Sequence, residues 1–512
     1  MQRIAVGVGP LTESDVVAVA RHGAGVALAD DALAAIAASR EVVDALADDS
    51  EPHYGISTGF GALATKHIPV EQRALLQRSL IRSHAAGSGQ EVEREVVRAM
   101  MLLRLSTLAT GHTGVRPTTA TALAALLDKG ITPVVREFGS LGCSGDLAPL
   151  AHVALALIGE GTVRAADGAQ GPAADVLRAH GLEPVALAEK EGLALINGTD
   201  GMLGHLLLAC HDLELLLRTA DISAAMSVEA LLGTARVFAA DLQALRPHPG
   251  QAAAAANLRA LLTDSPIIAS HAGPDCVYVQ DAYSMRCAPQ VAGAARDTLT
   301  HARTVAGFEL ASAVDNPVVV EGRVESNGNF HGAPIAYVLD FLAIPAADVA
   351  SISERRTDRM LDVTRSRGLP PFLADDPGVD SGHMIAQYTQ AALVSELKRL
   401  AVPASVDSIP SSAMQEDHVS MGWSAARKLR RSVDALTRVL AIELLTAARA
   451  LDMRAPLQPG PATAAVVAAL RERVAGPGPD RHLSPEIEAA VEFVRSGAAV
   501  AAADSALPEP LR

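Results

Sequence analysis

Aromatic side chains are scarce in this chain. One Trp, five Tyr and eight Phe make up 3 % of its 512 residues, while apolar residues of all kinds reach 49 %. A core of that composition rests on Ala, Leu and Val, which suits close-packed helices and argues against an aromatic-rich sandwich of strands. Cysteine is sparse too. Cys143, Cys210, Cys276 and Cys287 form no C-x-x-C pair, so neither a zinc knuckle nor a disulfide framework is expected. An excess of positive charge is also missing. The net charge of −15 repels nucleic acid phosphates and anionic membranes, so neither is an expected partner. No run reaches the roughly 18 uninterrupted apolar residues of a membrane span. The opening MQRIAVGVGP lacks the charged start and long apolar run of a secretory signal. A reduced, cytoplasmic setting is the expectation.

Helical periodicity dominates what is present. From Glu91 to Gly111, Val92, Val96, Met100 and Leu103 recur three or four apart, and the segment stops at a glycine. The next opens with Pro117 and closes with Lys129-Gly130, proline at the start and glycine past the end. Leu203–Leu217, Gln290–Val314, Ile335–Ile352, Met384–Leu400 and Ser424–Ala450 also read as helices. Small apolar residues on more than one face of long helices belong in a bundle or at subunit contacts. Strand signals are few; Val318–Val324 predicts a short hairpin. AGPGPD, Ala475–Asp480, reads as a linker before a last short helix.

Between the helices lie loops too rich in glycine and functional side chains to be plain connections, at Tyr54–Gly61, Gly139–Gly145, Asn197–Gly201 and Ser326–Gly332. The second, GSLGCSG, holds three glycines, two serines and a cysteine. Gly145 has no side chain, so its nitrogen can bend back onto the carbonyl carbon of Cys143. Attack there closes a five-membered ring. Loss of one water from the ring and of the Ser144 hydroxyl as a second leaves a methylidene-imidazolone, an electrophile made from the chain itself. Cys143 lends mainly its carbonyl. A bare glycine-rich turn also fits the tripeptide, and Cys143 could serve as a thiol nucleophile. A serine-hydrolase elbow needs Gly-x-Ser-x-Gly, and the last glycine is replaced by Asp146. A phosphate loop needs a lysine that is missing here.

GSLGCSGDLAPLAH resembles the signature of the aromatic amino acid ammonia-lyase family, with cysteine at the first ring position where most members have alanine. The resemblance covers almost the whole chain: YGISTGFG at Tyr54, SHAAG at Ser83, NGTDG at Asn197, VQDAYSMRCAPQ at Val279, DNP at Asp315, SNGNFHG at Ser326 and QEDHVSMG at Gln415. It implies a mainly α fold, with an N-terminal domain (1–200) carrying the electrophile-forming loop and a long-helix bundle (201–512) with a C-terminal helical extension. It also implies a homotetramer whose sites draw on more than one subunit.

The resemblance assigns roles. Cys143, Ser144 and Gly145 form the methylidene-imidazolone, and Asp146 assists the cyclisation. The electrophile captures the amine, a poor leaving group. Tyr54 is a leading candidate for the base that removes the β-proton. A free phenol titrates near 10, so positive charge or helix N-termini must favour its ionised form. Arg286 follows Tyr283 by three residues and would share a helix face with it. Its fork suits the substrate carboxylate, and Tyr283 would assist ring formation or proton movement. Asn197 and Gln280 supply hydrogen bonds around the carboxylate and the ring carbonyl, and Phe330 packs on the electrophile.

Specificity is read from two places. The pair Ser83-His84 resembles the members acting on histidine. Glu416 stands where the phenylalanine-type pattern has glutamine; a carboxylate accepts from imidazole N–H but would be an unpaired buried charge against a phenyl ring. Met414 and Leu397, which flank this end, depart from the usual asparagines. The expected reaction is the non-oxidative elimination of ammonia from L-histidine to trans-urocanate. The alternatives are the same elimination from tyrosine or phenylalanine, an aminomutase, or a helical scaffold without catalysis. His331 and His418 lack helix-type ligand spacing, so no metal is expected.

Overall fold

The three- and four-residue spacing of Ala, Leu and Val folds as it predicts. The computed structural model describes residues 3–47, 49, 53–59, 66–142, 145–273 and 279–512. Of the described residues, 58 % are helical and 7 % are in strands, so the mainly α expectation holds. The helix Met384–Leu400 has the ends read from sequence. Others run longer: Asp200–Ala230, Ala333–Leu361 and Gly422–Asp452. Packing lets a helix outrun its clearest periodic stretch, because buried faces supply what local propensity does not.

The chain divides into two units, each taking up separated stretches of sequence. The first comprises 1–208, 303–340 and 403–427. Its centre is Arg94–Ala109, a helix buried from Val96 to Ala109. Burial on all sides forces its arginines to find carbonyls: Arg98 donates to Val19 O at 3.0 Å and Leu127 O at 3.3 Å. Burial also lowers the Arg98 pKa to about 10. Pro117–Asp128 starts on its proline and ends before Gly130, whose φ of +68° needs no Cβ. Strands are short. Arg3–Val6 pairs in parallel with Gly25–Leu28, and Thr132–Pro133, Thr162–Arg164 and Gln170–Pro172 form a three-stranded sheet. The predicted hairpin is Val318–Val320 with Arg323–Glu325. Its two turn residues, Glu321 and Gly322, have φ of +48° and +73°, the hand that matches strand twist.

The second unit comprises 209–302, 341–402 and 428–512. A single carboxylate ties its long helices. Glu443, with no exposure, accepts the hydroxyls of Ser223, Ser227 and Ser353 at 2.8, 2.7 and 2.6 Å and the Arg356 guanidinium at 2.9 Å. A buried charge so saturated avoids the penalty an unpaired one carries. After the linker at 475–480, two short helices follow, Ser484–Arg495 and Ala498–Asp504.

Among the described residues one helix, Ala333–Leu361, is long and apolar enough to cross a membrane by length and composition. Its Asp340 is 1 % exposed and accepts the backbone N–H groups of Ala404 and Ser405 at 2.9 and 2.7 Å. Ile335, Ala336, Leu339, Leu342 and Ala343 of this helix are buried within the fold, while Tyr337, Phe341 and Ile344 stay exposed.

Candidate active site

The loop Gly139–Asp146 is bracketed by two residues that only glycine suits. Gly142 and Gly145 have φ of +66° and +77°. A Cβ on Gly145 would lie 2.0 Å from Gly198 O, and one on Gly142 would lie 2.2 Å from Ser420 Oγ. Neither turn nor close approach tolerates a side chain. Cys143 and Ser144, between them, lie outside the described residues. Hydrogen bonds fix both flanks. Gly142 N–H donates to Ser140 Oγ at 3.1 Å, and Ser420 Oγ–H donates to Gly142 O at 3.0 Å. Met421 N–H donates to Leu141 O at 2.9 Å, and Asp146 N–H donates to Gly198 O at 2.7 Å.

Asp146 precedes the helix Leu147–Leu157 but does not cap it. Its carboxylate accepts the Ser140 hydroxyl at 2.9 Å and the Met202 N–H at 2.8 Å. Burial, reinforced by the charge of Asp200, pushes its pKa up to about 7 despite those two donors. A carboxyl poised there can exchange a proton near neutral pH.

Three other motifs of the first unit, those holding Gly332, Gly198 and Gly87, reach this loop or the helix that follows it. Gly332, two residues after Phe330, has its N–H 3.5 Å from Gly142 O. The half-buried Phe330 lies in that loop. Gly87, three residues after His84, donates to His152 Nε2 at 3.1 Å, and so joins SHAAG to the helix that follows the electrophile loop. Asn197 is buried; its Nδ2 donates to Asn316 O at 2.9 Å, and its Oδ1 has no partner. Tyr54 sits half-buried in a turn closed by Ser57 N–H to His53 O at 2.9 Å.

His84 and Glu416 come within electrostatic reach of each other. Burial lowers the His84 pKa, and Leu80 O and the Glu416 charge oppose that shift. The half-buried Glu416 accepts the Ser411 hydroxyl at 2.8 Å. The rings of His331 and His418 stack at 5.6 Å, 2° from parallel. His331 Nε2 is buried without a partner.

Gln280, Tyr283 and Arg286 belong to the second unit. Tyr283–Arg286 is a one-turn helix, and the Arg286 guanidinium lies 4.7 Å from the Tyr283 ring centre, as the three-residue spacing predicted. Tyr283 is 71 % exposed, and Gln280 is exposed. Arg286 Nε and, one helical turn on, Gln290 Oε1 are buried without partners.

Sequence reading passed over several residues that shape the site. Arg104 has no exposure, and donates to Asn197 O and Val314 O at 2.8 Å each. Lys190 was missed as well, and Ser140 and Asp315, though inside the quoted motifs, were given no role. The available signal was a charge inside an apolar run, as in RAMMLLRLS and KEGLALING. Among the described residues, no group of three or more His, Cys, Asp or Glu is placed to hold a metal ion.

This chain belongs to the aromatic amino acid lyase family, whose model matches residues 11–472. It is 66 % identical to a histidine ammonia-lyase of Streptomyces avermitilis, over 99 % of each chain. Among solved structures it resembles a tyrosine aminomutase of Streptomyces globisporus, with a TM-score of 0.94 and 39 % identity over 100 % of each chain. It also resembles a histidine ammonia-lyase of Trypanosoma cruzi, with a TM-score of 0.91 and 39 % identity over 99 % of this chain and 96 % of that one.

Proposed function

We propose that this protein is a histidine ammonia-lyase, a carbon–nitrogen lyase that converts L-histidine to trans-urocanate and ammonia in the breakdown of histidine. The single observation that carries the reading is full-length identity of 66 % to a protein of that name. The shared electrostatic environment of His84 and Glu416, both in the unit that holds the electrophile loop, supports imidazole recognition.

The residues fit a methylidene-imidazolone built from Cys143, Ser144 and Gly145. Gly145 is held in a conformation and a space that only glycine fills, and Asp146 is a buried proton carrier. The group, once formed, supplies the electrophile that takes up the amine. The second N–H of Asn197 Nδ2 supplies a hydrogen bond around the carboxylate and the ring carbonyl, and Asn197 Oδ1, a buried acceptor without a partner, orients an amino N–H. Glu416 and His84 hold the imidazole and keep it from rotating. Arg286 clamps the carboxylate, with Tyr283 stacked on its guanidinium and Gln280 nearby in sequence as a hydrogen-bond donor. Tyr54 receives the β-proton, and Phe330 shields the electrophile from water.

The reading includes a homotetramer with sites assembled from more than one subunit, and a cytoplasmic location. Exposed apolar side chains on helices of the second unit, Ile344, Ile385 and Tyr388, support burial against other copies. The likeness to a tyrosine aminomutase favours one alternative, in which tyrosine is the substrate and the amine returns to the β-carbon. Incubating the purified protein with L-histidine and with L-tyrosine tests both. Urocanate from histidine alone is expected. An inert histidine with a coumarate or β-tyrosine product would overturn the assignment.

A further inference from the structure

We infer that Lys190 is a positioning residue of this site: its pairing with Asp315 sets which way the Asn197 amide faces and holds the Tyr54 and Phe330 loops in place. The inference rests on the reading above. Lys190 has a left-handed backbone, φ +73°, just before the short helix Glu191–Ala194. Its ammonium donates to Asp315 Oδ2 at 2.6 Å, and neither side chain has any exposure. Burial lowers the Lys190 pKa, and Asp315 opposes the shift. Such a pair adds little net stability, since desolvating two charges offsets most of their attraction. What it does add is a fixed position for Asp315.

From that fixed point the site is strung together. Asp315 Oδ1 accepts the Asn316 N–H at 2.8 Å. Asn316 O accepts Asn197 Nδ2 at 2.9 Å. Asn316 Oδ1 accepts the Asn327 N–H at 2.9 Å, and Asp315 O accepts Asn327 Nδ2 at 3.0 Å, which anchors the loop bearing Phe330. Next to Tyr54, a Cβ on Gly55 would lie 3.3 Å from Pro317 Cδ and 3.6 Å from Lys190 Cδ.

A carbonyl can only accept a hydrogen bond. Asn316 O therefore turns the NH2 of Asn197 toward itself and leaves Asn197 Oδ1 as the free acceptor. An acceptor is the group that orients an amine; the opposite amide orientation would present N–H to N–H. Lys190 thus decides the polarity that the site offers to nitrogen without touching the substrate.

The test compares Lys190→Met, Asp315→Asn and the double variant Lys190→Met/Asp315→Asn with the unaltered full chain. Asp315→Asn and the double variant leave no buried carboxylate unpaired, and an unpaired buried lysine can neutralise itself. Thermal midpoint, intact mass, and kcat and KM for L-histidine are measured. The rate of covalent capture of hydroxylamine is read by mass. In that capture the nitrogen bonds to the exocyclic methylene carbon and one proton passes to the ring, so the whole reagent mass is gained. Lys190→Met should lower the midpoint, and the double variant should recover it. Both variants lacking the carboxylate should still shed two waters, yet lose about 100-fold in kcat, the scale of a 1 Å misplacement. KM should change little, and hydroxylamine capture should slow. A folded, cyclised double variant with unaltered kcat and capture rate overturns the inference. An unaltered chain that sheds both waters but ignores histidine removes the substrate assignment alone, and the hydroxylamine comparison then decides the role of Lys190.

Discussion

Adding one methyl group at Gly145 should stop the chain from building its electrophile. The new Cβ would lie 2.0 Å from Gly198 O and 2.3 Å from Gly198 C. These are backbone atoms, and they cannot swing aside as a side chain could. Gly198 O is already bonded to Asp146 N–H at 2.7 Å, and Arg104 holds the preceding Asn197 O at 2.8 Å. Relief therefore needs a backbone displacement on the order of 1 Å, enough to cost about 100-fold in a reaction that depends on near-attack geometry. The φ of +77° adds about 1–2 kcal/mol of strain for any residue with a Cβ. Gly168→Ala is the control for that strain: its φ is +92°, and a Cβ there meets nothing within 4 Å. Intact mass, urocanate formation and thermal midpoint are measured on both variants. Gly145→Ala should keep one or both waters and lose about 100-fold or more in turnover. Gly168→Ala should lose both waters and turn over normally, with a small drop in midpoint. A Gly145→Ala chain that cyclises completely and keeps full activity would refute the argument from close approach.

Asp146→Asn should cyclise slowly or incompletely, as intact mass will report, because an amide cannot take up the proton. It should also change stability with pH. The folded pKa of Asp146 is about 7 against an ordinary 3.8, so the folded chain holds the extra proton between those values and loses stability as pH rises through that window. At about 1.4 kcal/mol per unit the loss is about 4 kcal/mol, and thermal midpoints between pH 5 and 8 should fall less steeply in the Asn variant. Glu416→Gln should still shed two waters but turn histidine over far more slowly; little loss of rate would remove Glu416 from the site. Arg286→Lys should raise KM for L-histidine about tenfold, with a smaller effect on kcat, because an ammonium cannot reproduce the two parallel bonds of the guanidinium fork.

Local interactions made much of this protein legible in its sequence. Helix-forming residues at helical spacing placed Met384–Leu400 at its observed ends. A run of valines around a glycine marked the hairpin at Val318–Glu325. Three-residue spacing put Tyr283 and Arg286 on one face. The chemistry of Cys143-Ser144-Gly145 is a property of three neighbouring residues, and so could be written down before any fold was known. Tertiary structure decided what depends on residues far apart in the chain. Only the fold presses Gly198 O against Gly145, seals Asp146 from water so that it holds a proton, and joins Lys190 to Asp315 across 125 positions. A lysine or aspartate read alone is by default a solvated side chain. Whether it is instead buried, paired and made to orient its neighbours depends on which distant backbone excludes water from it, and no local pattern carries that information.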